Sequence, residues 1–123
     1  MHRYCDYRFL RGFNLVPSWG ATIEQAWLQY DPKGFRQELL SAKLFHANTI
    51  RLWIDFGAWM IDPGQINAAF ADAVKAIDEA GMKVMPCLAN RWHDRQYDYG
   101  GTYLEQLSGD FAPRAGYLRE LAG

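Results

Sequence analysis

The chain has 123 residues, of which 50% are hydrophobic, and its net charge is −1. This length allows one modest domain with a real core, and the balanced charge argues against nucleic-acid binding, which needs a basic face. No apolar run is long enough to cross a membrane, so no membrane partner is expected. The first twelve residues lack the apolar core of a signal peptide, and the compartment stays unassigned.

The first predicted strand covers residues 12–16, and a helix follows at about 34–46. Asp31 and Pro32 open this helix as its N-cap and first-turn residues. Its apolar stripe, which we expect to pack on the sheet, consists of Phe35, Leu39, Leu40 and Leu44.

The second predicted strand, residues 49–55, carries an arginine in its middle. Alternation places Ile50, Leu52 and Ile54 on one face, which suits a helix layer. The opposite face holds Thr49, Arg51, Trp53 and Asp55. That face is too polar for another helix layer, and it suits the lumen of a closed barrel whose upper end opens into a ligand site.

The second predicted helix covers residues 65–80. Asp62 is the expected N-cap, Pro63 the first helical residue and Gln65 the far corner of a capping box. Gly81 follows as the residue that ends the helix.

The third predicted strand, residues 83–90, ends at Asn90 and carries Val84 and Leu88 on the same face as that asparagine. Pro86 is difficult to place there, because proline donates no ladder hydrogen bond and is unwelcome in a central strand. A third helix is predicted from near Pro113 to the end of the chain.

The order β-α-β-α-β-α, with right-handed crossovers, predicts three parallel neighbouring strands. We therefore predict an α/β fold of three parallel βα units, with one face of the sheet suited to the inside of a closed barrel. A nucleotide-binding doubly wound sheet is disfavoured, since no glycine-rich phosphate loop with its lysine is present.

Tryptophan follows each predicted strand, at Trp19, Trp59 and Trp92. Ligands of parallel α/β folds bind beyond the carboxyl ends of the strands. Aromatic faces beside hydrogen-bonding groups suit a sugar, although packing beneath the loops would equally account for any one of them.

The segments "TIRLWIDF", "IDEAGMKVMPCLANRW" and "YDYGG" resemble the first half of a clan-A, family-five glycoside hydrolase of the β-mannanase or cellulase type. The family pattern is a strand ending Asn-x-x-Arg-x-Trp, a helix ending Ala-x-x-x-Gly, a strand ending Asn-x-Trp, and a later Gly-Gly. The matching positions are Asn48, Arg51, Trp53, Asn90, Trp92, Gly100 and Gly101. The resemblance covers about residues 11–120.

This resemblance implies about the first three βα units of a (β/α)8 TIM barrel, with residues 1–123 as the N-terminal portion of a single catalytic domain. It also implies retaining hydrolysis of a β-linked mannan or glucan. Arg51 would support the catalytic nucleophile, and Trp19, Trp53, Asn90 and Trp92 would bind the polysaccharide or oligosaccharide. The alternative for Arg51 is a purely structural carboxylate partner, Asp55 or Asp6. Many members of the family are secreted.

The sequence departs from the family in its acids, because none of its glutamates follows an asparagine or ends a strand. Glu38, Glu79 and Glu120 are predicted on solvated helix faces. We therefore expect an enzyme fragment that is inactive alone, with neither catalytic glutamate, and self-association through its open sheet edges.

Two alternatives remain open, namely a non-catalytic sugar-binding or self-associating half-barrel, and another TIM-barrel enzyme acting on a small carbohydrate. No cofactor or metal is expected. Cys5 and Cys87 lack metal spacing, and the group His93, Asp94 and Asp98 matches no known ligand motif.

Overall fold

The computed structural model describes residues 6–88 and 112–123. In chain order the elements are β1 (Gly12–Leu15), α1 (Ile23–Leu28), α2 (Pro32–Leu44), β2 (Thr49–Trp53), α3 (Phe56–Ile61), α4 (Pro63–Glu79), β3 (Lys83–Cys87) and α5 (Ala112–Ala122). The predicted alternation of strands and helices is thus confirmed, with two additional short helices, α1 and α3.

The three strands form one open sheet in the order β1-β2-β3, and both neighbouring pairs are parallel. Arg51 of β2 is opposite Asn14 of β1 and Met85 of β3. The protein is therefore an α/β structure with parallel βα units, as predicted.

Aspartate and proline start both long helices. The carboxylate of Asp31 accepts the N–H of Lys33, and that of Asp62 accepts the N–H of Gln65. These bonds satisfy N–H groups that have no partner within the helix. The predicted return arm of the capping box is absent, because the Gln65 side chain instead donates to the Leu28 carbonyl at 2.6 Å.

The short helices begin at caps of the same kind. Thr22 accepts the N–H of Gln25 at the start of α1, and Asp55 accepts that of Ala58 at the start of α3. Each helix has only six residues, too few for an apolar period to be recognised. Thr22 and Asp55 were the only features of the sequence that could have indicated α1 and α3, and neither helix was predicted.

The core lies between the sheet and its helices. Ile50, Leu52 and Ile54 are at most 1% exposed, as the alternation predicted. Two of the four residues predicted for the apolar stripe of α2 do not pack on the sheet, since Leu40 and Leu44 are 57% and 79% exposed. Phe35, Leu39 and Ala42 are the buried residues of α2, at positions i, i+4 and i+7 of one helix face.

The face assignment of β3 is also corrected. Val84 is opposite Ile50 and therefore lies on the helix side, whereas Met85 and Cys87 share the side of Arg51. The sequence predicted Val84 and Leu88 on the face of Asn90, a residue assigned to sugar binding, and this face is wrong for Val84. Alternation along one strand does not show which face meets the helices, and a shift of one residue moves every side chain to the other face.

The register also accounts for Pro86. Lys83 donates its N–H to the Asn48 carbonyl, and the Cys87 carbonyl accepts from the N–H of Ile54. In a parallel ladder, Pro86 must therefore face away from β2. Within residues 6–88 and 112–123 no strand lies on that side, so the proline removes no hydrogen bond from the described sheet.

An ion-pair cluster joins α2 to α4. Arg36 donates two hydrogen bonds of 2.8 Å to the Asp72 carboxylate, and the Tyr30 hydroxyl donates a third of 2.8 Å. The guanidinium hydrogen bonds lower the pKa of Asp72 to about 2. Burial, together with the nearby Asp72, raises the pKa of Tyr30.

Replacing Asp72 by asparagine is expected to lower the unfolding free energy at pH 7 by about 0.5–1 kcal/mol, a modest value because both partners are partly exposed. The lowered pKa means that the stabilisation is present above about pH 4 and is lost as the pH falls toward 2. Urea unfolding at pH 7 and pH 2.5 measures this. Asp78→Asn, an exposed site on α4, is the control. An equal gap between wild type and Asp72→Asn at both pH values would contradict the linkage.

Candidate functional site: the open face of the sheet

The side of the sheet opposite the helices, here called the open face, carries Asn14, Arg51, Trp53, Met85 and Cys87. Arg51 is exposed, and Met85 is 49% exposed. The predicted polar face of the second strand is therefore accessible at Arg51 and partly at Trp53. Thr49 and Asp55, predicted on the same face, are buried, and Asp55 lies beyond β2 as the N-cap of α3.

Each strand contributes one contact to the Arg51 guanidinium. From β1, Asn14 Oδ1 accepts from Nη1 at 3.3 Å, and from β3, Cys87 Sγ lies 3.7 Å from Nη2. From β2 itself, the Trp53 ring lies beneath the guanidinium, with its centroid 5.0 Å from Cζ. These contacts fix the guanidinium plane across the centre of the sheet.

Arg51 forms no ion pair with any carboxylate in the described part of the chain. The two structural partners considered for it have other roles. Asp55 is buried and accepts the Ala58 N–H at 2.9 Å, and Asp6 pairs with Arg8 at 2.7 Å. Among residues 6–88 and 112–123, neither of these two carboxylates pairs with Arg51.

Trp53 is half-buried, and its main-chain carbonyl accepts the Trp27 indole N–H at 2.7 Å. Its own indole N–H is buried and has no hydrogen-bond partner among residues 6–88 and 112–123. An acceptor brought to this point would satisfy a donor that is costly to leave unpaired.

Trp19 is held mainly by packing. Its indole N–H donates to the Ala26 carbonyl at 2.9 Å, and its ring meets Tyr30 and Phe35 edge to face at 6.2 and 6.5 Å. The ring is half-buried in this arrangement. Asn90 and Trp92, the other predicted sugar-binding residues, lie outside the described residues.

The predicted rim position of Trp59 is wrong. Its side chain is 9% exposed, donates to Asn67 Oδ1 at 3.1 Å and packs against Phe56 and Tyr117. Because residues 56–61 form α3, Trp59 is directed into the space between α4 and α5 instead of toward a ligand.

Two glutamates occupy positions that the sequence analysis did not anticipate. Glu38, predicted on a solvated face, accepts the Ser18 N–H with Oε1 at 2.8 Å and has a buried Oε2. Glu24 reaches the carboxyl end of β2, since a Cβ added to Gly57 would lie 3.2 Å from Glu24 Oε2 and 2.9 Å from Asp55 Oδ1. The position of Glu24 could not be inferred without α1 and α3, and that of Glu38 depends on how the loop after β1 meets α2.

A groove of about 920 Å³ lies away from the open face, where α4, β3 and α5 meet. Its walls include Val74, Met82 and Leu121, with Lys75 and Glu120 also lining it. None of the helices among the described residues is long and apolar enough to span a membrane, and no group of three metal-ligating side chains was found there.

No family model matches the sequence, and comparisons with curated proteins and with solved structures gave no significant match.

Proposed function

We propose that this chain forms the first three βα units of a (β/α)8 barrel that hydrolyses a β-linked mannan or glucan. Two features support a barrel. The strands are parallel, and the described helices pack on Ile50, Leu52 and Ile54 while Arg51 and Asn14 on the opposite face are exposed. A doubly wound sheet would have helices on both faces, whereas a barrel encloses a single inner face.

The exposed guanidinium of Arg51 is the observation that carries the functional proposal. It is held by neutral groups and has no carboxylate partner in the described chain. A retaining glycosidase uses two carboxyl groups about 5 Å apart. In the proposal, Arg51 donates hydrogen bonds to the nucleophilic carboxylate, which lowers the pKa of that acid and keeps it ionised for attack on the sugar.

The open face would then be part of the substrate groove. Trp53 presents an aromatic ring beside Arg51, and a sugar could pack against the part of this half-buried ring that stays exposed. We extend the proposed sugar contacts to Trp19, Asn90 and Trp92. The acid/base and the nucleophile belong, in this proposal, to later strands outside these 123 residues.

We expect the 123-residue chain alone to release no reducing sugar from soluble β-mannan or β-glucan above the buffer blank. A longer polypeptide that contains this sequence and supplies the remaining βα units is expected to hydrolyse at least one of the two. A reducing-end assay on both proteins measures this. Turnover by the 123-residue chain that is abolished by Glu24→Gln would overturn the assignment of the catalytic acids to later strands, and an inactive longer polypeptide would overturn the glycosidase proposal.

A non-catalytic, self-associating sugar-binding half-barrel is the second candidate. The free edge of β1 and the exposed apolar side chains Phe13, Leu40 and Leu44 favour it. Concentration-dependent sedimentation of the chain, together with its retardation in gels containing β-mannan, would distinguish this candidate from an inactive fragment.

A further inference from the structure

Asn14 is both the register partner of Arg51 on β1 and a hydrogen-bond acceptor for its guanidinium. The two residues are direct partners in the β1–β2 register, and their side chains are on the same face. The Asn14 Oδ1 atom accepts from Nη1 at 3.3 Å. No part of the resemblance assigns a role to Asn14.

The contact geometry restricts the guanidinium in two directions. Nη1 is directed to β1 by Asn14, and Nη2 is directed to β3 by Cys87 at 3.7 Å. Trp53 supports the plane from below. An arginine has five N–H donors in a planar fork, so several remain for a ligand after these contacts are made.

Asn14 suits this position because it accepts a hydrogen bond without carrying charge. An aspartate there would pair with Arg51 and use the bidentate edge of the fork. With alanine at position 14, the Arg51 side chain would be free to rotate. Binding the ligand would then cost the additional entropy of ordering the guanidinium.

We infer that Asn14 is a positioning residue, which orients Arg51 so that the open face binds a carboxylate in two-point contact. The inference rests on the proposed function, in which that carboxylate is the catalytic nucleophile. Binding of a free carboxylate needs neither sugar nor turnover, so it is tested separately from the hydrolysis.

The test uses the 123-residue protein and the arginine reagent phenylglyoxal. Peptide mass mapping measures the rate at which each arginine is modified. The acetate concentration is increased at constant ionic strength. Acetate is expected to protect Arg51 in the wild type. Arg119, exposed on α5, is the internal control that acetate should leave unprotected.

In Asn14→Ala, the acetate concentration that half-protects Arg51 is expected to rise about fivefold, as for the loss of one hydrogen bond. In Asn14→Asp, Arg51 is expected to react slowly without acetate and to gain no protection from it, because the internal carboxylate occupies the fork. Gln37→Ala, at an exposed position on α2, is the control and should behave as wild type.

Equal protection of Arg51 in wild type and Asn14→Ala would overturn the positioning role. Absence of protection in the wild type would overturn the carboxylate site itself. Circular dichroism shows whether Asn14→Ala folds. If it does not, Asn14→Asp serves as the test, because wild-type reactivity and protection of Arg51 in that variant would also refute the inference. None of these outcomes depends on whether β-glycan is hydrolysed.

Discussion

Arg51→Ala is expected to reduce the turnover of β-glycan by a complete barrel containing this chain about 100- to 1,000-fold, the range measured for loss of one donor to developing charge. Turnover falls because the nucleophile loses its guanidinium donor. In the described part of the chain Arg51 is exposed and contacts Asn14, Cys87 and Trp53, so its removal costs little packing. The midpoint of urea unfolding should change by no more than a surface substitution allows, about 0.5 kcal/mol.

Arg51→Lys should recover little of this turnover, because an ammonium group supplies a point charge where two fixed donors are required. Arg119→Ala, on α5, is the matched control and should retain full activity. Initial rates on β-mannan and β-glucan, measured together with urea unfolding, separate the two roles. A large loss of stability with normal turnover of the remaining folded enzyme would contradict the role assigned to Arg51.

Leu52→Ala is expected to destabilise the chain by about 3 kcal/mol, within the range for a leucine removed from a packed core. Leu52 is 1% exposed at the centre of the helix side of β2. Leu44→Ala is the matched control, since the same atoms are removed from a side chain that is 79% exposed. For this control we expect a change within about 0.5 kcal/mol.

Chemical unfolding followed by circular dichroism measures both leucine variants. Because small domains have only a few kcal/mol in reserve, Leu52→Ala is expected to be largely unfolded at 37 °C. Similar losses in the two variants would mean that the helix side of β2 is not the main core.

The features that the sequence predicted correctly have local causes. The caps at Asp31 and Asp62 and the positive φ of Gly81, at 73°, follow from side-chain and backbone chemistry near each helix end. The separation of Arg51 from Ile50 and Leu52 follows from the two-residue repeat of a strand.

The wrong predictions concern burial and strand faces, which depend on tertiary contacts. Leu44 continues an apolar pattern on α2 but is exposed, and Trp59 follows a strand but is buried by α3 and its neighbours. Val84 was placed on the wrong face because the register of β3 depends on its pairing with β2. The sequence therefore predicted that Arg51 and Trp53 share one face of the sheet. It could not predict the contacts of Arg51 with Asn14 and Cys87, because these depend on the relative positions of three strands.

Pro86 makes the two edges of the sheet unequal during folding. On the β1 edge, the backbone groups of Gly12 and Asn14 that face outward can all take part in pairing, since the β1–β2 bonds use alternate residues such as Arg11. On the β3 edge, position 86 offers no N–H, so any added strand leaves one carbonyl without its ladder donor. We therefore expect strand pairing between copies of this chain, the usual first step of edge-to-edge aggregation, to be more favourable at the β1 edge than at the β3 edge.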